Sequence, residues 1–114
     1  KLLKIPFSAG GLGKTQGTEL DGRRYKKNKK SNKEKTNKNI EEKVKKNRKN
    51  KLAILGGDHS ITYASFKAIS DLENPGLLIF DAHPDCMQDF DPPTHEDFVK
   101  VLVNKGLLKK ENLI

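Results

Sequence analysis

Tryptophan is absent from this 114-residue chain, and cysteine and methionine occur once each. The single thiol, Cys86, excludes an intramolecular disulfide framework and fits a reducing compartment, so a cytoplasmic location is expected. No apolar run approaches the ~18–20 residues of a membrane span, and the start lacks the apolar core of a signal peptide. Hydrophobic residues make up only 33%, no more than the charged share, which is lean for a self-sufficient core. Length leaves room for one small domain or a piece of a larger one. The chain opens on Lys1 rather than methionine, so missing upstream sequence is expected.

What is abundant is positive charge. A net +8 would suit a nucleic-acid or anionic-membrane partner. Its distribution argues against both. Residues 23–51 hold fifteen Lys and Arg against three Glu, whereas the remainder holds eight basic and twelve acidic groups. Basic character belongs to one Lys/Asn-rich tract, whose sizeable apolar residues are Tyr25, Ile40 and Val44. Without interleaved aromatics the tract lacks platforms for base stacking, so neither a nucleic-acid nor a membrane partner is expected. Ordering its 29 residues costs at least about 29 kcal/mol, and three buried side chains return at most about 9 kcal/mol. Composition therefore predicts a largely disordered insertion, with a frayed helix around residues 40–49.

The flanking sequence is better patterned. Residues 2–7 read as a short strand and 8–17 as a glycine-rich loop, so that 1–22 form a first strand and loop. Residues 52–55 are a continuous apolar run ending in Gly56-Gly57, as a buried parallel strand does. Ile61, Ala64, Ala68, Ile69 and Leu72 make a helical stripe over 60–73, stopped by Asn74-Pro75-Gly76. Residues 76–80 predict a second buried strand, completing a right-handed βαβ unit. Thr94 and Asp97 have capping-box spacing, ahead of a helix with Phe98, Val101 and Leu102 on its buried stripe and Gly106 at its end. Residues 112–114 read as the start of another strand.

Both apolar strands end in residues able to bind metal, at the sheet edge where open α/β folds place their sites. Asp81, His83 and Asp85 alternate with Ala82 and Pro84, and on an extended segment all three face one way. Pro84 cannot donate to a ladder, which moves the ligands onto the turn beyond the strand. His59 follows the neighbouring strand. Carboxylates and imidazoles without a thiolate motif suit Mn²⁺, and Zn²⁺, Fe²⁺, Co²⁺ or Ni²⁺ also fit.

Leu55-Gly-Gly-Asp58-His59-Ser60 followed by Phe80-Asp81-Ala-His83-Pro-Asp85 resembles the first two metal motifs of the arginase–agmatinase (ureohydrolase) family. Ile5-Pro-Phe-Ser8, with its glycine loop and Gly17-Thr-Glu19, is similar to that family's first strand and loop. The likeness covers 52–114 well and 1–22 loosely. It implies an α/β fold, a three-layer sandwich around a mainly parallel sheet, of which this chain is the incomplete N-terminal half. The 52–114 region is then the metal-ligand part of one partial domain. It further implies two Mn²⁺ ions, with His59 and Asp85 serving one, His83 the other and Asp81 both, and His95 as proton shuttle. The implied reaction is attack of a metal-bridged hydroxide on the guanidinium carbon of a linear amidine or guanidine. A homo-oligomer is implied for the complete form.

Two departures accompany the likeness. The family's later Asp-x-Asp ligand motif is absent, since Asp89-Phe-Asp91 follows Asp85 too closely, so a complementing C-terminal half is expected. Cys86 and Met87 stand where arginases proper keep polar groups for the amino-acid end of arginine. Agmatine, arginine, guanidinobutyrate and formiminoglutamate all remain candidate substrates. A non-catalytic or split ureohydrolase subunit is one rival reading. Another is a nucleotide-binding protein, because Ala9-Gly-Gly-Leu-Gly13-Lys14-Thr15 resembles a phosphate loop and residues 77–81 a Walker B strand, although Ser8 replaces the pattern's first glycine.

Overall fold

The computed structural model describes residues 2–4 and 19–114, with side chains from residue 30 onward. The glycine loop, and the phosphate-loop reading that depends on it, lie outside the described residues. Strand β1 (Leu2–Lys4) pairs in parallel with β2 (Ala53–Leu55), Leu3 opposite Ile54. Three helices follow the chain: α1 (Glu19–Asn47), α2 (Ile61–Lys67) and α3 (Phe98–Asn104), with a 3-10 turn at Lys110–Asn112.

The Lys/Asn tract lies mostly in a helix, contrary to the disorder its composition predicts. A continuous helix closes about one backbone hydrogen bond for each residue it fixes, which offsets part of the backbone ordering cost, and Lys, Glu and Arg are good helix formers. Two apolar anchors then suffice to dock it. Ile40 and Val44, one turn apart, are buried against Ala64 and Ala68 on the α2 side. Polar clamps flank the seam: Glu41 accepts from Lys45 at 2.8 Å and meets Lys67 of α2 at 3.0 Å, while Arg48 meets Asp71 at 2.6 Å. The two lysines lower the Glu41 pKa against the opposing effect of partial burial, Lys45 contributing most.

The expected three-layer sandwich is not what the described residues form. They are mainly helical, with a single two-stranded pairing in place of a multi-stranded parallel sheet. The βαβ unit is not closed either. Residues 77–79 do not pair with β2. Instead the Leu77 N–H donates to Asn112 O at 2.9 Å, and Leu77 forms an isolated parallel bridge with Leu113. A cavity of about 380 Å³, lined in part by Ile54, Phe66, Ile69 and Leu77, lies between the two apolar runs. An apolar run signals burial and says nothing about which strand it pairs with. Here burial is one-sided, since Leu77 and Ile79 pack inward while Leu78 and Phe80 are bare.

The main core joins α2 to α3 through Tyr63, Phe66, Phe98, Val101 and Leu102. The expected capping box forms only in part and precedes α3, whose N-cap is Asp97 with no side-chain cap. The Asp97 carboxylate accepts the Thr94 N–H at 2.6 Å, and Thr94 Oγ1 accepts the Glu96 N–H at 3.3 Å. Asp97 is fully buried and also accepts the Phe90 N–H at 2.6 Å, tying the ligand loop to the helix. Among the described residues no helix is long and apolar enough to cross a membrane.

Candidate metal centre

Two turns bring the chemistry together. After β2 the chain passes Gly56, where a Cβ would stand 2.1 Å from Ile61 Cδ1, so a larger residue would force the Ile61 side chain to move, and it turns over residues 57–60. Asp58 then folds its carboxylate back to accept the Ser60 N–H at 3.0 Å and the Ser60 hydroxyl. Partial burial raises the Asp58 pKa, but these two hydrogen bonds outweigh it and the net shift is downward, with help from His95. This turn presents His59 at the start of α2. Its ring lies against the buried Phe98 ring of α3, centroids 4.5 Å apart and planes tilted by 52°.

The second turn follows residue 80. Asp81 accepts the backbone N–H of His83 at 3.0 Å, which is the main cause of its lowered pKa. The His83 ring at 3.2 Å adds to the effect, and the charges of His59 and His83 do so further. Asp85 has φ +46°, a left-handed conformation unusual for a side-chain-bearing residue. That kink swings a nearly buried carboxylate towards His59. His59 Nδ1 stands 3.0 Å from Asp81 Oδ2 and 2.9 Å from Asp85 Oδ2. One ligand atom from each of His59, Asp81 and Asp85 lies within 4.8 Å of the others. Ligand atoms held this close can share one cation at the usual bond lengths of about 2.0–2.2 Å. Two carboxylates and an imidazole form a donor set for a hard or borderline divalent ion. The residues fit one such ion.

Of the four ligands expected from the sequence, three converge and one does not. His83 is attached to the cluster only through Asp81, and its side chain is 80% exposed. The chain bends at Ala82 and His83 and takes a left-handed backbone at Asp85, so the segment is not extended and the expected period-two alternation is lost. The expected shuttle, His95, is outside the three-residue cluster. It is half exposed, 3.8 Å from Glu96 Oε1, on the side from which it influences Asp58. Cys86, next to Asp85, is exposed, its Sγ donating to Pro84 O at 3.0 Å. Phe98 is the neighbour of the site that sequence reasoning missed. It read only as part of the buried stripe, with no signal of its contact to His59. Neither the 380 Å³ cavity nor a groove of about 540 Å³ beside α1 is lined by His59, Asp81 or Asp85.

The family model described as "Arginase family" matches residues 10–114. No curated protein and no solved structure matches the chain.

Proposed function

The chain belongs to the arginase family, and from that premise we propose that it binds a divalent cation, manganese in the working protein, as one part of a ureohydrolase-type active site. The observation carrying this reading is the convergence of His59, Asp81 and Asp85 within 4.8 Å. When bound, the ion supplies Lewis-acid polarisation and lowers the pKa of bound water. The side chains do the rest. Phe98 fixes the imidazole plane, the Asp81 turn aims one carboxylate, and the left-handed Asp85 backbone aims the other. The substrate is a small linear guanidine or amidine, hydrolysed at a C–N bond.

A second ion has fewer partners here. The other Asp81 oxygen and His83 are two donors, and stable catalytic sites normally use three or more protein ligands. A two-manganese site thus requires donors from outside this chain's described cluster, such as a complementing segment with further aspartates. Supplied with them, His83 serves the second ion and His95 passes a proton to the leaving amine, an imidazole being suited to that transfer near neutral pH. The exposure of His83 also favours a second reading, a metal-binding but non-catalytic ureohydrolase subunit. Calorimetric titration with MnCl₂ tests the common element. One site per chain is expected in the wild type and none in a His59→Ala, Asp85→Ala variant. Equal heats from both proteins would refute the reading. Urea release on adding a complementing segment separates the catalytic form from the non-catalytic one.

A further inference from the structure

The helix that carries most of the positive charge has two unlike faces. Positions 33, 37, 40 and 44 form its inward stripe, half-buried or buried against the fold. Two residues on, and therefore about 200° around the helix, Lys35, Glu42 and Lys46 are exposed, with Lys38 beside them. Glu34 and Glu41 have lysine partners, Lys30 and Lys45 on α1 itself and Lys67 on α2. No ion pair engages Lys35, Lys38 or Lys46 among the described residues. Folding thus spends the helix's apolar residues on docking and leaves a rigid cationic ridge outside. Lys35 and Lys46 are separated by about 16 Å along it, far enough to meet several phosphates of one groove edge.

We propose that this outer face of α1 docks duplex nucleic acid through its phosphate backbone, without reading sequence. An anionic membrane fits less well, because an interfacial helix needs a free apolar face and Ile40 and Val44 are both buried. Single strands fit less well because residues 30–51 contain no aromatic side chain for stacking. A regular phosphate array needs neither feature, only spaced cations. The absence of interleaved aromatics in the sequence argues against single-strand binding and leaves this mode intact.

Fluorescence anisotropy of a labelled 20-base-pair random-sequence DNA duplex, titrated with the full chain across a salt series, tests the proposal. The variant K35Q/K38Q/K46Q retains the helix, because Gln and Lys have nearly equal helix propensity, and far-UV dichroism checks this. It should bind at least about tenfold more weakly near 50 mM salt, with the slope of log K against log salt reduced by about 2.7. The arginine version K35R/K38R/K46R should bind like the wild type. A Lys109→Gln, Lys110→Gln pair, exposed and off the helix, should leave the slope unchanged. Absence of binding near 50 mM salt, an unaffected glutamine variant, an equal per-charge loss from the off-helix pair, or tighter binding to phosphatidylserine vesicles than to the duplex would each overturn the assignment.

Discussion

Ile40→Ala should unfold or undock α1, and its size can be worked from the packing. The side chain is 1% exposed and belongs to a cluster with Val44, Ala64 and Ala68, against which Leu52, Ile54, Ile61 and Ile69 pack. An Ile→Ala truncation in a packed core costs about 2–5 kcal/mol. Typical domains have only about 5–15 kcal/mol in total. The loss should therefore lower the thermal midpoint by about 8 °C or more, since each kcal/mol moves it about 4–8 °C at this size. Thermal unfolding followed by far-UV dichroism reads both the midpoint and the helical signal. Lys35→Ala, on the outer face, serves as control and should stay within about 0.5 kcal/mol of wild type. An Ile40→Ala protein with unchanged midpoint and helix content would show that α1 is not packed as described, and that the disordered insertion expected from composition is the better account.

Three further outcomes are expected. Asp97→Ala removes the acceptor of the Phe90 N–H, the Thr94 N–H and the Thr94 hydroxyl. It should cost at least about 3 kcal/mol in urea unfolding, and a loss below about 1 kcal/mol would contradict that role. Glu41 has a folded-state pKa below its unfolded value, so its contribution is present above the unfolded pKa and is lost as pH falls through the folded one. Wild-type stability should accordingly decline more steeply than that of Glu41→Gln in the acid range below the ordinary carboxylate pKa, and parallel pH profiles would refute the bridge. In a complemented, active form, His95→Asn should lower turnover about 10²–10⁴-fold with manganese occupancy unchanged. A fall in occupancy would make His95 a ligand, and no change in either would remove it from the mechanism.

The candidate ligand cluster was more legible than the architecture, and the reason is locality. His59, Asp81 and Asp85 come from two short turns, and residue types alone marked them. Their arrangement was not legible, because alternation assumes an extended segment whereas Asp85 adopts a left-handed backbone. Ile40 and Val44 were visible as the tract's apolar residues, but their partners Ala64 and Ala68 lie on a distant helix, and no pattern within residues 23–51 points to them. Strand pairing was the least legible. Leu77 to Phe80 are apolar without interruption, yet the segment pairs with Leu113 and Ile114 rather than β2, a non-local choice that hydrophobicity does not encode.

The most direct test of the central claim is crystallographic. Crystals of the chain soaked in MnCl₂ and measured at the manganese absorption edge should give one anomalous peak per chain, coordinated by His59, Asp81 and Asp85, with His83 outside the coordination shell unless further donors are supplied. A peak held elsewhere, or none under conditions where calorimetry detects binding, would contradict the assignment of these three residues as the metal centre.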